Sequence, residues 1–127
     1  MSTLLLIEDD PWLAELYTDV FTAAQFRVIR AGDAQQAIEL LSTHQVEAII
    51  LDLLLPGFNG IALLHELRSY PALGAIPVVI HSAVDPKLSG LPPEAWQAYG
   101  VSAFVPKGLA RPQELVRTVK RVVYEAV

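Results

Sequence analysis

Residues 48–60 read AIILDLLLPGFNG: Asp52 stands at the tail of the apolar run Ala48–Leu51 and ahead of three leucines, a proline and two glycines. Burying a carboxylate costs several kcal/mol unless something pairs with it. The rest of the chain indicates what comes to meet it.

Apolar periodicity alternates between two kinds of segment. Leu4–Ile7, Ala48–Leu51, Pro77–Ile80 and Ala103–Val105 are short apolar runs, the pattern of strands buried on both faces. Phe26–Ala31 sets Val28 and Ile29 between Arg27 and Arg30, which suits an edge strand. Between the runs the pattern turns helical. Leu13, Leu16, Tyr17, Val20 and Phe21 form an amphipathic stripe, with Asp10 as N-cap and Pro11 at the first helical position. Ala34, Ala37, Ile38 and Leu41 mark a second helix capped by Asp33. A third, carrying Leu63, Leu64 and Leu67, runs from about Gly60 to Tyr70. The last begins near Pro112 and buries Leu115, Val119, Val122 and Val123. Residues 85–100, DPKLSGLPPEAWQAYG, contain three prolines and two glycines and leave room only for a short helix over Pro93 to Tyr99.

Strands alternating with helices predict an α/β fold, a doubly wound five-stranded parallel sheet of order 2-1-3-4-5 with helices on both faces and right-handed crossovers. Such sheets bind ligands at the carboxyl ends of their strands, where the order reverses. With strand two at an edge, strands one and three are neighbours at that reversal. Glu8 and Asp9 end the first and Asp52 ends the third, so the acids meet there.

Composition narrows the functional classes. The 127 residues are expected to form one domain, residues 1–127, with no output domain. The longest apolar runs are too short to cross a membrane, and MSTLLLIEDD lacks the basic region of a signal peptide. The absence of cysteine excludes disulfides and thiolate metal sites. A net charge of −5 argues against a direct nucleic-acid surface. The expectation is a cytoplasmic protein with neither membrane nor nucleic acid as its partner.

Three carboxylates close together repel one another unless a cation or a proton intervenes. All-oxygen ligands favour a hard ion, Mg²⁺ before Ca²⁺. Capping uses one acid, Asp10, which leaves Glu8 and Asp9 spare on the strand end. Asp52 has no helix starting within its first turn to cap. The three together read as a site.

LLLIEDDP, LDLLLPGFNG, VVIHSA and AFVPKG, in this order and each at a strand's end, resemble the four signature segments of response-regulator receiver domains. The resemblance covers essentially the whole chain and implies the same doubly wound fold. It further implies that Asp52 is the phosphoacceptor, attacking phosphohistidine on a histidine kinase or histidine phosphotransferase. Asp9 would bind Mg²⁺ directly, Glu8 through water, and the backbone carbonyl of Leu54 would complete the protein ligands. Lys107 would reach the phosphoryl oxygens, Ser82 would donate its hydroxyl to one of them, and Phe104 matches the aromatic switch position. An unidentified downstream protein would read the switch. Such a domain is no enzyme in the usual sense, since it catalyses only its own phosphorylation and dephosphorylation.

Three departures stand out. Gly108 follows Lys107 where many members have proline, and the chain between Ser82 and Lys107 is longer than usual. Leu54 and Val84 occupy the positions that flank the hydrolytic water in receivers; both are apolar, which predicts slow self-dephosphorylation. Two other readings compete. One is a receiver-like interaction module that binds partners without phosphorylation. The other is an aspartyl-phosphate phosphatase, against which Leu54 counts, because those enzymes carry a second aspartate there. His44, His65 and His81 form no cluster. Trp12 is expected at the pocket rim, and Trp96 and Tyr99 in core packing.

Overall fold

A computed structural model describes residues 1–55, 58–84, 91–108 and 111–125. Pro56, Pro86 with the rest of residues 85–90, and residues 109–110 of the GLARPQ loop lie outside the described residues. In chain order the elements are β1 (Thr3–Ile7), α1 (Pro11–Ala23), β2 (Arg27–Ala31), α2 (Ala34–Thr43), β3 (Ala48–Leu51), β4 (Leu54–Leu55) and β5 (Phe58–Asn59). There follow α3 (Gly60–Arg68), β6 (Val78–Ser82), α4 (Pro93–Ala98), β7 (Val101–Pro106) and α5 (Pro112–Glu125).

Five of these strands form one parallel sheet in the order β2-β1-β3-β6-β7, the arrangement read from the apolar runs. β1, β3 and β6 are buried along their whole length, whereas β2 keeps Arg27 and Arg30 exposed, as an edge strand should. Alternate residues of each strand face opposite sides of the sheet and divide the core in two. Leu5, Ile7, Ile49, Leu51 and Ile80 pack with α2 and α3 on one side. Leu4, Leu6, Ile50, Val79 and Val105 pack with Ala14, Tyr17 and Phe21 of α1 and Leu115, Val119 and Val122 of α5 on the other.

The helix starts follow local chemistry. Asp10 accepts from the Trp12 and Leu13 amides, and Asp33 from the Gln36 amide, so both expected caps form. Asn59 caps α3 in the same way through the Ile61 amide, a role the sequence reading did not give it. That helix ends at Arg68, short of Tyr70, because the Ser69 amide and hydroxyl both donate to the Glu66 carbonyl and tighten the last turn. Val123 of α5 is only partly buried. The small hairpin β4–β5, which pairs Leu54 with Asn59 and Leu55 with Phe58, was also unforeseen. It turns the chain from Asp52 directly into α3.

Candidate functional site

The site is assembled from the carboxyl ends of three adjacent strands and one edge strand. At the end of β1 the Glu8 amide donates to the Ala31 carbonyl of β2 at 3.0 Å, which fixes where β1 stops. Arg30 of β2 reinforces the turn: its guanidinium donates to the Glu8 carbonyl at 3.2 and 3.0 Å and to the Asp9 carbonyl at 3.3 Å. The Glu8 side chain is buried, Asp9 is exposed, and Asp10 turns away to cap α1.

Asp52 follows β3 by one residue, and its amide donates to the Ile7 carbonyl at 3.2 Å, keeping it beside the acids of β1. Its carboxylate, 6% exposed for the whole residue, is bonded on both oxygens. Oδ1 accepts from the Leu54 amide at 3.0 Å and from Ser82 Oγ at 2.8 Å. Oδ2 accepts from Lys107 Nζ at 2.8 Å. The same ammonium lies 2.5 Å from Glu8 Oε1, and Glu8 Oε2 accepts from the Asp10 amide at 3.3 Å. Lys107 is brought there by β7, and its own amide donates to the Ser82 carbonyl at 3.1 Å.

Burial raises the Glu8 carboxyl above its ordinary value; the Lys107 ammonium, the Asp10 amide and the nearby Asp52 charge modify the shift without reversing it. Burial also works against the Lys107 charge, but its bonds to Asp52 and Glu8 outweigh that and hold it above the usual lysine value. Glu8, Asp9 and Asp52 each offer a carboxylate oxygen, all within 4.8 Å of one another. The Lys107 ammonium pairs with Glu8 and Asp52, and Asp9 adds a third carboxylate to the cluster. An all-oxygen donor set of that charge and spacing fits a small hard dication.

The structure thus brings Glu8, Asp9, Asp52, Ser82, Lys107 and the backbone of Leu54 to one place. The Leu54 side chain is 59% exposed. Phe104 lines an apolar cavity of about 460 Å³ together with Trp96, Ile80 and Val101. Trp96 and Tyr99 pack against the α2–α3 half of the core, as expected. Trp12 is 71% exposed and shares a shallow surface depression with Glu15, Leu16 and Asp19 of α1. Two contributions escaped the sequence reading. Arg30 looked like one flank of an edge strand, and nothing local shows that it reaches two carbonyls just past the end of neighbouring β1. His81 looked like an isolated histidine, yet it is buried and bonded to Tyr17 and Val105.

The doubly wound sheet and the acid pocket at its switch point define a class of ligand-binding α/β protein. Comparison with known proteins makes the class specific. The chain matches the response regulator receiver domain family over residues 4–120 and belongs to that family. It is 33% identical over 126 residues to the transcriptional activator protein PfeR of Pseudomonas aeruginosa, covering 92% of this chain and 38% of that protein. With the probable transcriptional regulatory protein TcrX of Mycobacterium tuberculosis it shares 31% identity over 90 residues, 70% of this chain and 38% of that one. The chain therefore spans well under half the length of these curated relatives. Among solved structures, the receiver domain of Francisella response regulator 1452 superposes over 100% of both chains with a TM-score of 0.85 at 24% identity, a likeness of fold. Among the described residues, no helix is long and apolar enough to cross a membrane.

Proposed function

We propose that this receiver domain is a phosphorylation-gated switch with Asp52 as its acceptor. The observation that carries the reading is the set of contacts on one carboxylate. Asp52 is met by Ser82 Oγ, Lys107 Nζ and the Leu54 amide, beside Glu8 and Asp9. In the transfer, an Asp52 oxygen forms a bond to phosphorus as the P–N bond of a phosphohistidine breaks, and the imidazole departs with the electron pair. Carboxylate nucleophiles that form acyl phosphates are an established class.

Phosphoryl transfer is mainly positioning and charge neutralisation. Lys107 and Ser82 supply donors for the oxygens of the incoming group, and Glu8 helps hold the ammonium in place. Glu8, Asp9, Asp52 and the Leu54 carbonyl would hold Mg²⁺, which when bound neutralises charge on the transferring phosphoryl group. The chain catalyses only its own modification. Its partners on this reading are a histidine kinase or phosphotransferase and a downstream protein in the cytoplasm. PfeR and TcrX are named as transcriptional proteins, but the net charge of −5 supports protein rather than nucleic acid as the contact of this chain.

Incubation with acetyl phosphate and Mg²⁺, followed by intact-mass spectrometry, tests the reading. One phosphoryl adduct is expected, lost in Asp52→Ala and in the presence of EDTA. An adduct that survives Asp52→Ala refutes the assignment, and no adduct under any condition turns the reading to an interaction module that works unphosphorylated.

A further inference from the structure

A buried polar chain on the far side of the sheet ends at the strand that delivers Lys107. His81, on β6 and directly before Ser82, is 4% exposed. Its Nδ1 lies 2.7 Å from the Val105 carbonyl oxygen. A carbonyl only accepts, so Nδ1 carries the proton and donates. In the neutral ring Nε2 is then an acceptor, and the Tyr17 hydroxyl donates to it at 2.8 Å. The two rings meet edge-on, with centroids 4.9 Å apart and planes at 76°. Burial lowers the His81 pKa from its ordinary value, which keeps the ring in this neutral form.

Each element joined by the chain also supplies a piece of the site. α1, which carries Tyr17, begins directly after Glu8, Asp9 and the Asp10 cap. β6 ends in Ser82, and Lys107 comes two residues after Val105. The only other polar tie among the described residues between the tips of β6 and β7 outside the strand ladder is the Lys107 amide on the Ser82 carbonyl. Beyond Lys107 the backbone enters a left-handed conformation at Gly108, φ +81°, where no described atom comes within 4 Å of the place a Cβ would occupy. The placement of Lys107 therefore depends on ties that precede it.

We infer that His81, held by Tyr17, is a positioning residue that anchors the backbone of Val105 and so sets the Lys107 ammonium at Asp52. The inference rests on the reading of Asp52 as phosphoacceptor. Simple core filling is a poorer account: leucine and phenylalanine would occupy this space without burying three polar groups, whose desolvation is balanced only by the bonds they make.

The full chain is compared with His81→Leu, His81→Asn and Tyr17→Phe for the rate of adduct formation with acetyl phosphate, and for Mg²⁺ affinity by calorimetry. Asparagine places an amide N–H where imidazole Nδ1 stands and preserves the bond to Val105. The rate is expected to fall roughly tenfold in His81→Leu, to return to within about threefold of the parent in His81→Asn, and to fall about threefold in Tyr17→Phe, the scale of single hydrogen bonds. Mg²⁺ affinity should change less than about twofold, because no acid is touched. A purely packing role would not let asparagine rescue the rate. Parent-like kinetics in His81→Leu, or His81→Asn as slow as His81→Leu, overturns the inference. If His81→Leu does not fold, Tyr17→Phe decides, and a parent-like rate there overturns it. A parent that takes up no phosphoryl group overturns the acceptor reading and this inference together; a labelled parent with unaffected variants overturns this one alone.

Discussion

Leu54 meets Asp52 in two ways: its amide bonds the carboxylate, and its side chain lies mostly in solvent. An isobutyl group cannot hold a water for attack on an acyl phosphate. Asparagine at this position could, so the phosphorylated Leu54→Asn protein should decay roughly three- to tenfold faster than the parent, the rate equivalent of one hydrogen bond worth about 0.5–1.5 kcal/mol. The decay of the adduct mass with time checks this, and equal or slower decay in the variant refutes it. Glu8 yields a pH dependence. Because its carboxyl is raised by burial, the folded protein keeps a proton there at pH values where the unfolded chain has lost it. Stability from this group therefore falls as pH rises from the ordinary carboxylate value through the raised one. Glutamine does not titrate, so Glu8→Gln should gain on the parent across that window. Urea midpoints at mildly acidic and neutral pH measure the gap, and a gap that does not widen toward neutral pH counts against it. The acids were legible in the sequence because like charges at strand ends demand an explanation. Arg30 and His81 were not, since their partners lie 21 or more and 24 or more residues away, and no short motif records them.

At the scale of elements, the segment from Asp52 to α3 does the most demanding work. The hairpin β4–β5 returns the chain so tightly that the Gly60 amide donates to the Leu53 carbonyl at 3.0 Å. A Cβ on Gly60 would stand 2.7 Å from Leu53 Cα and 3.0 Å from the Asp52 and Leu53 carbonyl oxygens. These are backbone atoms that cannot swing aside. Gly60→Ala should lower stability by about 1–3 kcal/mol, the usual cost of overpacking, and slow adduct formation by moving Asp52. Denaturant unfolding measures the first effect, and an unchanged midpoint refutes the close approach. The turn residues in LPGFNG announced a loop but not a hairpin, because two-residue strands are too short to carry a period. The main strands were legible because runs such as Ile49-Ile50-Leu51 have no polar face. Helix ends were read less well: Ser69 closes α3 through a side-chain bond that periodicity does not reveal.

Across the whole molecule, strand order followed from a single inference, that the strand flanked by arginines lies at an edge. Successive residues of one strand then belong to different halves of the core: Ile49 packs toward α2 and α3, Ile50 toward α1 and α5. Ile49→Val and Ile50→Val should each cost about 0.5–1.5 kcal/mol. Although the residues are neighbours in the chain, the double variant should equal the sum within about 0.5 kcal/mol. Chemical denaturation of the three variants tests this, and a larger coupling would mean that the sheet transmits strain between its faces. His81 and Ser82 straddle the same divide, the histidine bonded toward α1 and the serine toward Asp52. The sheet is thus a bulkhead. Either flank can drift or be refitted to a new neighbour while the opposite flank stays as it was, provided that Tyr17 and His81, which lead from α1 to the strand carrying Lys107, are kept.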